Sequence, residues 1–458
     1  MAHTSLARTL RTTEYFTLAF GTMVGVGWLI LIDDWLTRGG PAGAMLGFFL
    51  GGLALIPIAH VYGKFVRELP DAASEIAYAQ QAFPGHLGFL AGWLMTLAYL
   101  IVCPWEAVAI GRLLGYLIPS VESNQVYSVG GSPVFLPALV IGLALTFLIV
   151  LLNYRGIKIS SRFQNYVTFG FLLLLGLFSV MGFFRASPAN LEPLFAKPGT
   201  GGALVSVILV LQIVPYFLTG FESVPKCAEE AHEDLQPRDF AKAIYLALAV
   251  GVLFYVVIIG VVCGLAPWKS LTSVKFPTAV AFSQAFHSVW VVRLLLIAAL
   301  FSLVKVFNGN FVAASRLIFA LGRRNLIPSG MGWIHPRFQS PTNAVLFCGA
   351  VTAAGALLGR SILVPVTEVG SLCSALGWFV TCASYARSHP QDRKLIVAWF
   401  GGLIALLFVA LKLVPQIPGS FTHAEYIALA VWLALGLALK FTAKPQRPHK
   451  DHKECSRG

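Results

Sequence analysis

Among the ionisable residues of the long apolar runs, three are the candidates for chemistry: Glu106 in 87–118, Glu222 in 203–228 and Lys305 in 290–321. At the centre of a bilayer such a group costs about 2.5–3.5 kcal/mol on insertion scales, so it faces a partner or a watery cavity. For Glu106, inside Cys103-Pro104-Trp105-Glu106, an ion or proton relay and an interhelical partner both fit. Two further stretches disfavour a continuous helix. Gly21-Thr22-Met23-Val24-Gly25-Val26-Gly27-Trp28 holds three glycines, each costing about 1 kcal/mol relative to alanine in a helix interior. The stretch from Gln212 to Pro225 holds Pro215, Gly220, Glu222 and Pro225, and each proline removes a backbone donor and obstructs a turn.

In lipid, an interrupted helix is tolerated only where its freed N–H and C=O groups face protein or a water-filled cavity. For the first stretch the simpler alternative is a GxxxG packing face of Gly21 and Gly25. The two breaks fall in spans one and six, five apart, which points to two inverted halves with a binding site at mid-membrane. Such a site suits a zwitterion. A half-helix starting after Gly27 offers unpaired N–H groups and a positive dipole end to a carboxylate, and half-helices ending near Met23 and Thr219 offer carbonyls to an ammonium. An α-amino acid matches both.

The elements that must position these residues are transmembrane helices. Of 458 residues, 57% are hydrophobic and 12% charged, against roughly 25% charged in soluble domains. Apolar runs of about 20 residues predict about twelve spans, near 15–37, 43–66, 87–118, 134–153, 160–184, 203–228, 241–266, 290–321, 342–359, 362–385, 395–414 and 421–440. The expected fold class is therefore an all-α membrane protein. Its expected parts are an N-terminal segment (1–14), a first five-helix repeat (15–184), a second, inverted repeat (203–385), two further helices (395–440) and a basic tail (441–458).

The formal charge of +13 is concentrated in clusters that alternate spans place on one side: Lys64/Arg67, Arg155/Lys158/Arg162, Lys226/Arg238/Lys242, Arg316/Arg323/Arg324/Arg337, Arg387/Arg393/Lys394 and the tail. The positive-inside rule puts both termini in the cytoplasm of a cell-membrane protein, with the clusters meeting anionic headgroups and not nucleic acid. No signal peptide is expected. The seven cysteines are scattered and indicate neither a disulfide framework nor a metal site. The histidines lack zinc-site spacing, no phosphate-cradling Walker pattern occurs, and no nucleophile, base and oxyanion constellation appears. The expectations are no cofactor, no metal and no enzyme. Oligomeric state is not legible.

The chain resembles the amino acid, polyamine and organocation permeases over nearly its whole length. The resemblance rests on Gly21 to Gly27 with Gly40-Pro41-Ala42, on Glu68-Leu69-Pro70 through Tyr78 to Gly85 and Gly92-Trp93, and on Asn153-Tyr154-Arg155-Gly156-Ile157-Lys158. It continues in Phe217-Leu218-Thr219-Gly220-Phe221-Glu222 with Ala228-Glu229-Glu230 and Pro237-Arg238-Asp239, and in Ala314-Ser315-Arg316 through Leu326-Ile327-Pro328 to Pro341-Thr342-Asn343-Ala344. It implies two inverted five-helix repeats, the LeuT-like fold, followed by two helices, working by alternating access. It also implies that a substrate carboxylate meets the amides at Gly25, Val26 and Gly27, that the α-amine meets the carbonyls at Met23, Tyr216 and Thr219, and that Tyr216 or Phe217 gates the site beside Gly220.

Two departures bear on coupling. Many relatives carry a lysine near the position of Gly170 or Phe171, where its ammonium replaces the sodium of sodium-coupled cousins. Here that span has no charge between Arg162 and Arg185, while Lys305 lies in span eight, three residues before Asn308-Gly309. Lys305 is expected to supply the missing charge by bonding to carbonyls of the broken first span, and to couple a proton to transport. The alternative is a permanent salt bridge to Glu106 or Glu222. Glu222 either binds a second positive charge of a cationic substrate, or senses protons, or pairs with Lys305. Glu229 and Glu230 belong beside Lys226 and Arg238 in an ion network, and Asp33 and Asp34 in a solvated vestibule. The expected function is secondary amino acid transport, by proton symport into the cell or by exchange. A polyamine or cationic amino acid exchanger and a transporter-like amino acid sensor are the alternatives.

Overall fold

A computed structural model describes residues 5–443, with positions 360 and 362–364 described by backbone alone. The last residues of the expected tail, 444–458, with His449, His452 and Cys455, lie outside the described residues.

The chain runs almost wholly in helices. α1 (Thr12–Met23) stops at residues 24–26 and resumes as α2 (Gly27–Ile30) and α3 (Ile32–Glu68). Gly40, at φ 64°, breaks α3 into two arms at Gly39-Gly40-Pro41. A Cβ there would lie 2.7 Å from the Ala196 amide, so the turn needs glycine for its backbone angle and for space. Next come the short α4 (Glu75–Ala82), then α5 (Leu87–Leu100) and α6 (Val102–Leu117) joined at Ile101. An antiparallel hairpin, β1 (Gln125–Val129) and β2 (Ser132–Phe135), precedes α7 (Leu136–Tyr154) and α8 (Ile157–Phe183). Span six is divided into α9 (Gly202–Leu211), α10 (Val214–Leu218) and α11 (Ser223–Lys226). Then follow α12 (Pro237–Leu265), α13 (Trp268–Leu271), α14 (Pro277–Phe286), α15 (Val289–Arg323), α16 (Thr342–Leu357), α17 (Gly359–Ser388), α18 (Leu395–Leu413) and α19 (His423–Phe441).

Among the described residues nine helices are long and apolar enough to cross a membrane, and α9 and α16 are shorter apolar helices. Hydrocarbon demands internally satisfied backbone, which apolar helices supply turn by turn. The outside of the bundle is correspondingly apolar: Phe147, Tyr166, Leu173, Ile396, Leu403 and Ile427 are exposed. The interior is centred on α1, α5 and α15, and α15 is buried without interruption from Lys305 to Gly322. This is a multi-pass membrane protein.

The described start packs on Glu230 and the last described helix on Phe89, at the end of the bundle here called proximal; the Gly40 turn and the hairpin come one helix length away, at the distal end of α3 and of α5–α6. The start of the chain is strapped to the end of span six, where the Thr9 and Leu10 amides donate to the Glu230 carbonyl and the His232 amide donates to Leu10. Several cations that the spacing assigns to headgroups are instead paired with acids. Arg316 and Glu230 form a buried bidentate pair at 2.7 and 3.2 Å. Arg323 pairs with Glu229 and Asp71, and Arg324 with Asp71. Lys226, grouped with them at the inner end of span six, is fully buried against Glu75 at 2.7 Å. Glu229 and Glu230 thus form the expected ion network with arginines of α15, not with Lys226 and Arg238.

Candidate substrate site

The site begins with an accounting of backbone groups. A helix that ends leaves its last carbonyls without intrahelical donors. Where α1 stops, side chains from α12 and α15 cap these carbonyls one by one. Asn310 Nδ2 donates to Thr22 O at 3.0 Å, the Tyr255 hydroxyl to Met23 O at 3.2 Å, Lys305 Nζ to Val24 O, and Ser302 Oγ to Gly25 O at 2.8 Å. Tyr255 also reaches Phe217 O in the other broken span, at 3.4 Å. The amides of Gly25, Val26 and Gly27 donate no hydrogen bond among the described residues and stand at the start of α2. The interruption is therefore a donor-rich helix start facing a carbonyl-rich, capped helix end. A simple GxxxG packing helix is not what forms.

The second break lies beside it. Thr219 ends α10, Gly220 takes φ 139°, and a Cβ on Gly220 would lie 2.7 Å from the Met23 amide. Thr219 Oγ1 donates to Pro215 O at 2.5 Å and is 2.7 Å from Ser374 Oγ of α17. Between the breaks is a cavity of about 30 Å³ lined by Met23, Gly25, Gly27, Tyr216, Phe217, Thr219 and Glu106, with Trp105, Val306, Asn310 and Ser374. That volume has room for no more than a water or two, so the cavity is narrow. Towards the distal face, past Leu31, Trp105, Tyr216 and Phe217, lies a second cavity of about 240 Å³ that reaches Asp33, Asp34, Arg38 and Glu368. Asp34 there holds Arg38 at 2.8 Å.

The structure thus brings together most of the residues singled out by spacing and resemblance, and leaves four of them off the cavity wall. Val26 is buried at the link, and Gly220 packs on α1. Lys305 sits behind the wall. Its ammonium lies 4.7 Å from the centre of the Phe171 ring and 5.1 Å from that of Phe20, so the cation from α15 reaches the aromatic position on α8. Among the described residues it forms no ion pair with Glu106 or Glu222, contrary to the salt-bridge alternative, although the field of Glu106 acts on it. Glu222 turns away from both Lys305 and the cavity. Its Oε2 accepts from the Gly220 amide at 3.0 Å, and its carbonyl accepts from Lys226 at 2.8 Å. Glu106 faces the cavity, and its Oε2 has no hydrogen-bond partner.

Ser302, Asn310, Tyr255 and Ser374 were not singled out by the sequence. Ser302, Lys305 and Asn310 share one side of α15, and a polar stripe of that kind in an apolar helix was the available signal. Behind them, Gln164 of α8 bridges Thr17 O and Lys305 O and accepts from Asn308 Nδ2, joining α1, α8 and α15.

A family description, amino acid permease, matches residues 10–437. The chain belongs to the amino acid permease family. This permease is 26% identical to the branched-chain amino acid permease BcaP of Bacillus subtilis, across 95% of the chain and 93% of that protein. It is 25% identical to the methylthioribose transporter of the same organism, over 95% and 93%. To the vacuolar cationic amino acid transporter 4 of Arabidopsis thaliana it is 27% identical, over 84% of the permease and 64% of the plant protein. Three different cargoes in the names of relatives at similar distance mean that membership of the family leaves the cargo open.

Proposed function

We propose that this permease is a secondary active transporter of neutral amino acids, working by alternating access and coupled to protons through Lys305. The observation that carries the reading is the pair of helix breaks around one cavity. Free amides of Gly25, Val26 and Gly27 suit a carboxylate, while carbonyls near Met23, Tyr216 and Thr219 suit an ammonium. Tyr216 and Phe217 act as the gate between the narrow cavity and the distal vestibule.

In this reading the nine long helices, the broken spans one and six, and α16 make twelve crossings. Residues 15–184 and 203–385 are inverted repeats, 395–440 are two added helices, and the proximal face, where both described ends lie, is cytoplasmic. The form described is then closed inside and nearest to opening outside. Neutral cargo is favoured because the Glu222 carboxyl is turned from the cavity and accepts from the Gly220 amide. The second reading, a cationic amino acid or polyamine exchanger, is favoured by Glu106, whose unpartnered Oε2 is in reach of a cargo amine.

The coupling argument is electrostatic. A charged Lys305 ties Val24 of the broken helix to α15, and its ammonium is stabilised by the faces of Phe20 and Phe171. Loss of its proton removes the charge from both contacts and frees α1 to move against α15. The test is uptake of labelled amino acids into proteoliposomes with and without an inward proton gradient, in wild type, Lys305→Met and Lys305→Arg. Gradient-driven uptake that both variants lose supports the reading. Uptake that needs internal amino acid and ignores the gradient makes the protein an exchanger. Binding without any transport makes it a sensor.

A further inference from the structure

Apart from the cavity lining, a second cluster of polar side chains is buried between α4 and span six, here called the chamber. Glu75 of α4, Glu222 before α11 and Lys226 at its end are all fully buried. Lys226 Nζ donates to Glu75 Oε1 at 2.7 Å and to the Glu222 carbonyl at 2.8 Å. Its ammonium lies 5.0 Å from the centre of the Tyr99 ring and 5.8 Å from that of Tyr62. The Tyr62 hydroxyl donates to the same Glu75 oxygen at 2.7 Å and is 3.1 Å from Thr381 Oγ1. The other oxygens, Glu75 Oε2 and Glu222 Oε1, and the Tyr99 and Tyr78 hydroxyls have no hydrogen-bond partner.

The charges in this chamber do not balance. The titratable and charged groups facing it are Tyr62 from α3, Glu75 and Tyr78 from α4, Tyr99 from α5, and Glu222, Lys226 and Cys227 from span six. One ammonium faces two carboxyl groups. With both acids ionised, a negative charge would be held away from water without a counter-ion, which a buried site avoids by taking up a proton. Glu75 accepts two hydrogen bonds on one oxygen, from the Lys226 ammonium and the Tyr62 hydroxyl. Glu222 takes one backbone donor, the Gly220 amide, on Oε2, and its side chain faces the Tyr99 hydroxyl.

We propose that Lys226 is an exchangeable counter-ion shared by Glu75 and Glu222, and that the chamber binds one proton, on Glu222, while α4 is packed against span six. When the proximal side opens, α4 carries Glu75 away, and the Lys226 ammonium transfers to the Glu222 carboxylate four residues before it on its own segment. The proton on Glu222 Oε1 leaves as that pair forms, so one ion pair breaks, another forms and one H⁺ goes to solvent. The closed-state proton depends only on the charge count; the release step rests on the alternating-access reading above. This proton is separate from any carried by Lys305.

The test is infrared spectroscopy of the full-length protein in nanodiscs, reading the C=O stretch of protonated carboxyl groups, with Glu106→Gln to subtract that residue. Wild type should show one protonated carboxyl beyond Glu106. Glu222→Gln should remove it. Glu75→Gln should remove it as well, although the proton is not on Glu75, because one lysine then balances one carboxylate. Lys305→Met should leave it in place. A band that survives Glu75→Gln or Glu222→Gln, or is absent from wild type, overturns the proposal. Because both Gln variants are isosteric, failure of one to fold leaves the other decisive. An intact band pattern in a protein that transports no amino acid sinks the transport reading and leaves the closed-state proton standing.

Discussion

Lys226 and Lys305 are both fully buried, yet the permease holds them by opposite means. Lys226 has a carboxylate at 2.7 Å, a carbonyl at 2.8 Å and two aromatic faces. Lys305 has the Val24 carbonyl and two aromatic faces, and among the described residues no acid in ion-pair contact. A paired charge is expensive to disturb, because removing either partner strands the other in low dielectric. A charge held only by dipoles and ring faces can be lost without stranding an opposite charge. The first arrangement suits a latch and the second a group that gains and loses a proton.

Lys226→Met should therefore cost about 3–5 kcal/mol of stability, as expected when one member of a buried pair is removed. Thermal or chemical unfolding in detergent at neutral pH measures it. A loss below about 1 kcal/mol, the range of exposed pairs, would erase the contrast with Lys305 and show Glu75 to be neutral beforehand.

The Glu222 side of the chamber is held by backbone, so Gly220→Ala sharpens the comparison next. At φ 139° alanine is strained, and its Cβ would meet the Met23 amide at 2.7 Å. About 1–3 kcal/mol is expected, with weakened substrate binding because the two breaks are forced apart. Unfolding together with substrate-dependent thermal shift checks both. A variant of normal stability and affinity would mean that the breaks do not need this contact.

How far the sequence went depends on what kind of signal each feature leaves. Both helix breaks were legible because glycine and proline act locally on the backbone, and Val24 and Gly220 fall where the composition placed the interruptions. The hairpin was missed although Gly130-Gly131, between Val129 and Ser132, is a two-residue turn signal. Lys226 was grouped with the inner cations since it lies at the end of an apolar run; its burial depends on packing against α4, about 150 residues away in sequence. The partners of Glu229 and Glu230 on α15 were hidden for the same reason. The carbonyl caps Ser302, Tyr255 and Asn310 are single polar residues whose meaning appears only when α1 stops beside them.

Lys305→Met stands third. Because no carboxylate is stranded in contact, and methionine keeps much of the apolar stem, stability should change by less than about 1.5 kcal/mol, as for tolerated core swaps. Gradient-driven uptake should nevertheless be lost. Stability and coupling thus separate at Lys305 and move together at Lys226. Comparing unfolding with gradient-stimulated uptake for both variants reads this out. A large stability loss at Lys305 would place it in the same class as Lys226.

The smallest effect is expected at a lysine pair near the surface. Lys64 Nζ lies 3.0 Å from Asp392 Oδ2 in the loop between α17 and α18. The Tyr385 hydroxyl, the Lys394 amide and the Lys64 ammonium hold the Asp392 carboxyl below the usual carboxylate range, with the hydroxyl contributing most. A carboxyl shifted that way adds stability that is present above the unfolded aspartate value of about 3.9 and is lost as pH falls further, towards the folded value. Asp392→Asn should thus be mildly destabilising at neutral pH, and the deficit should shrink below about pH 4. It should also weaken in high salt, which screens exposed charges but reaches Lys226 far less. A pH- and salt-independent deficit would mean that Asp392 acts by shape and hydrogen bonding alone, leaving no exposed ion pair against which to scale the two buried lysines.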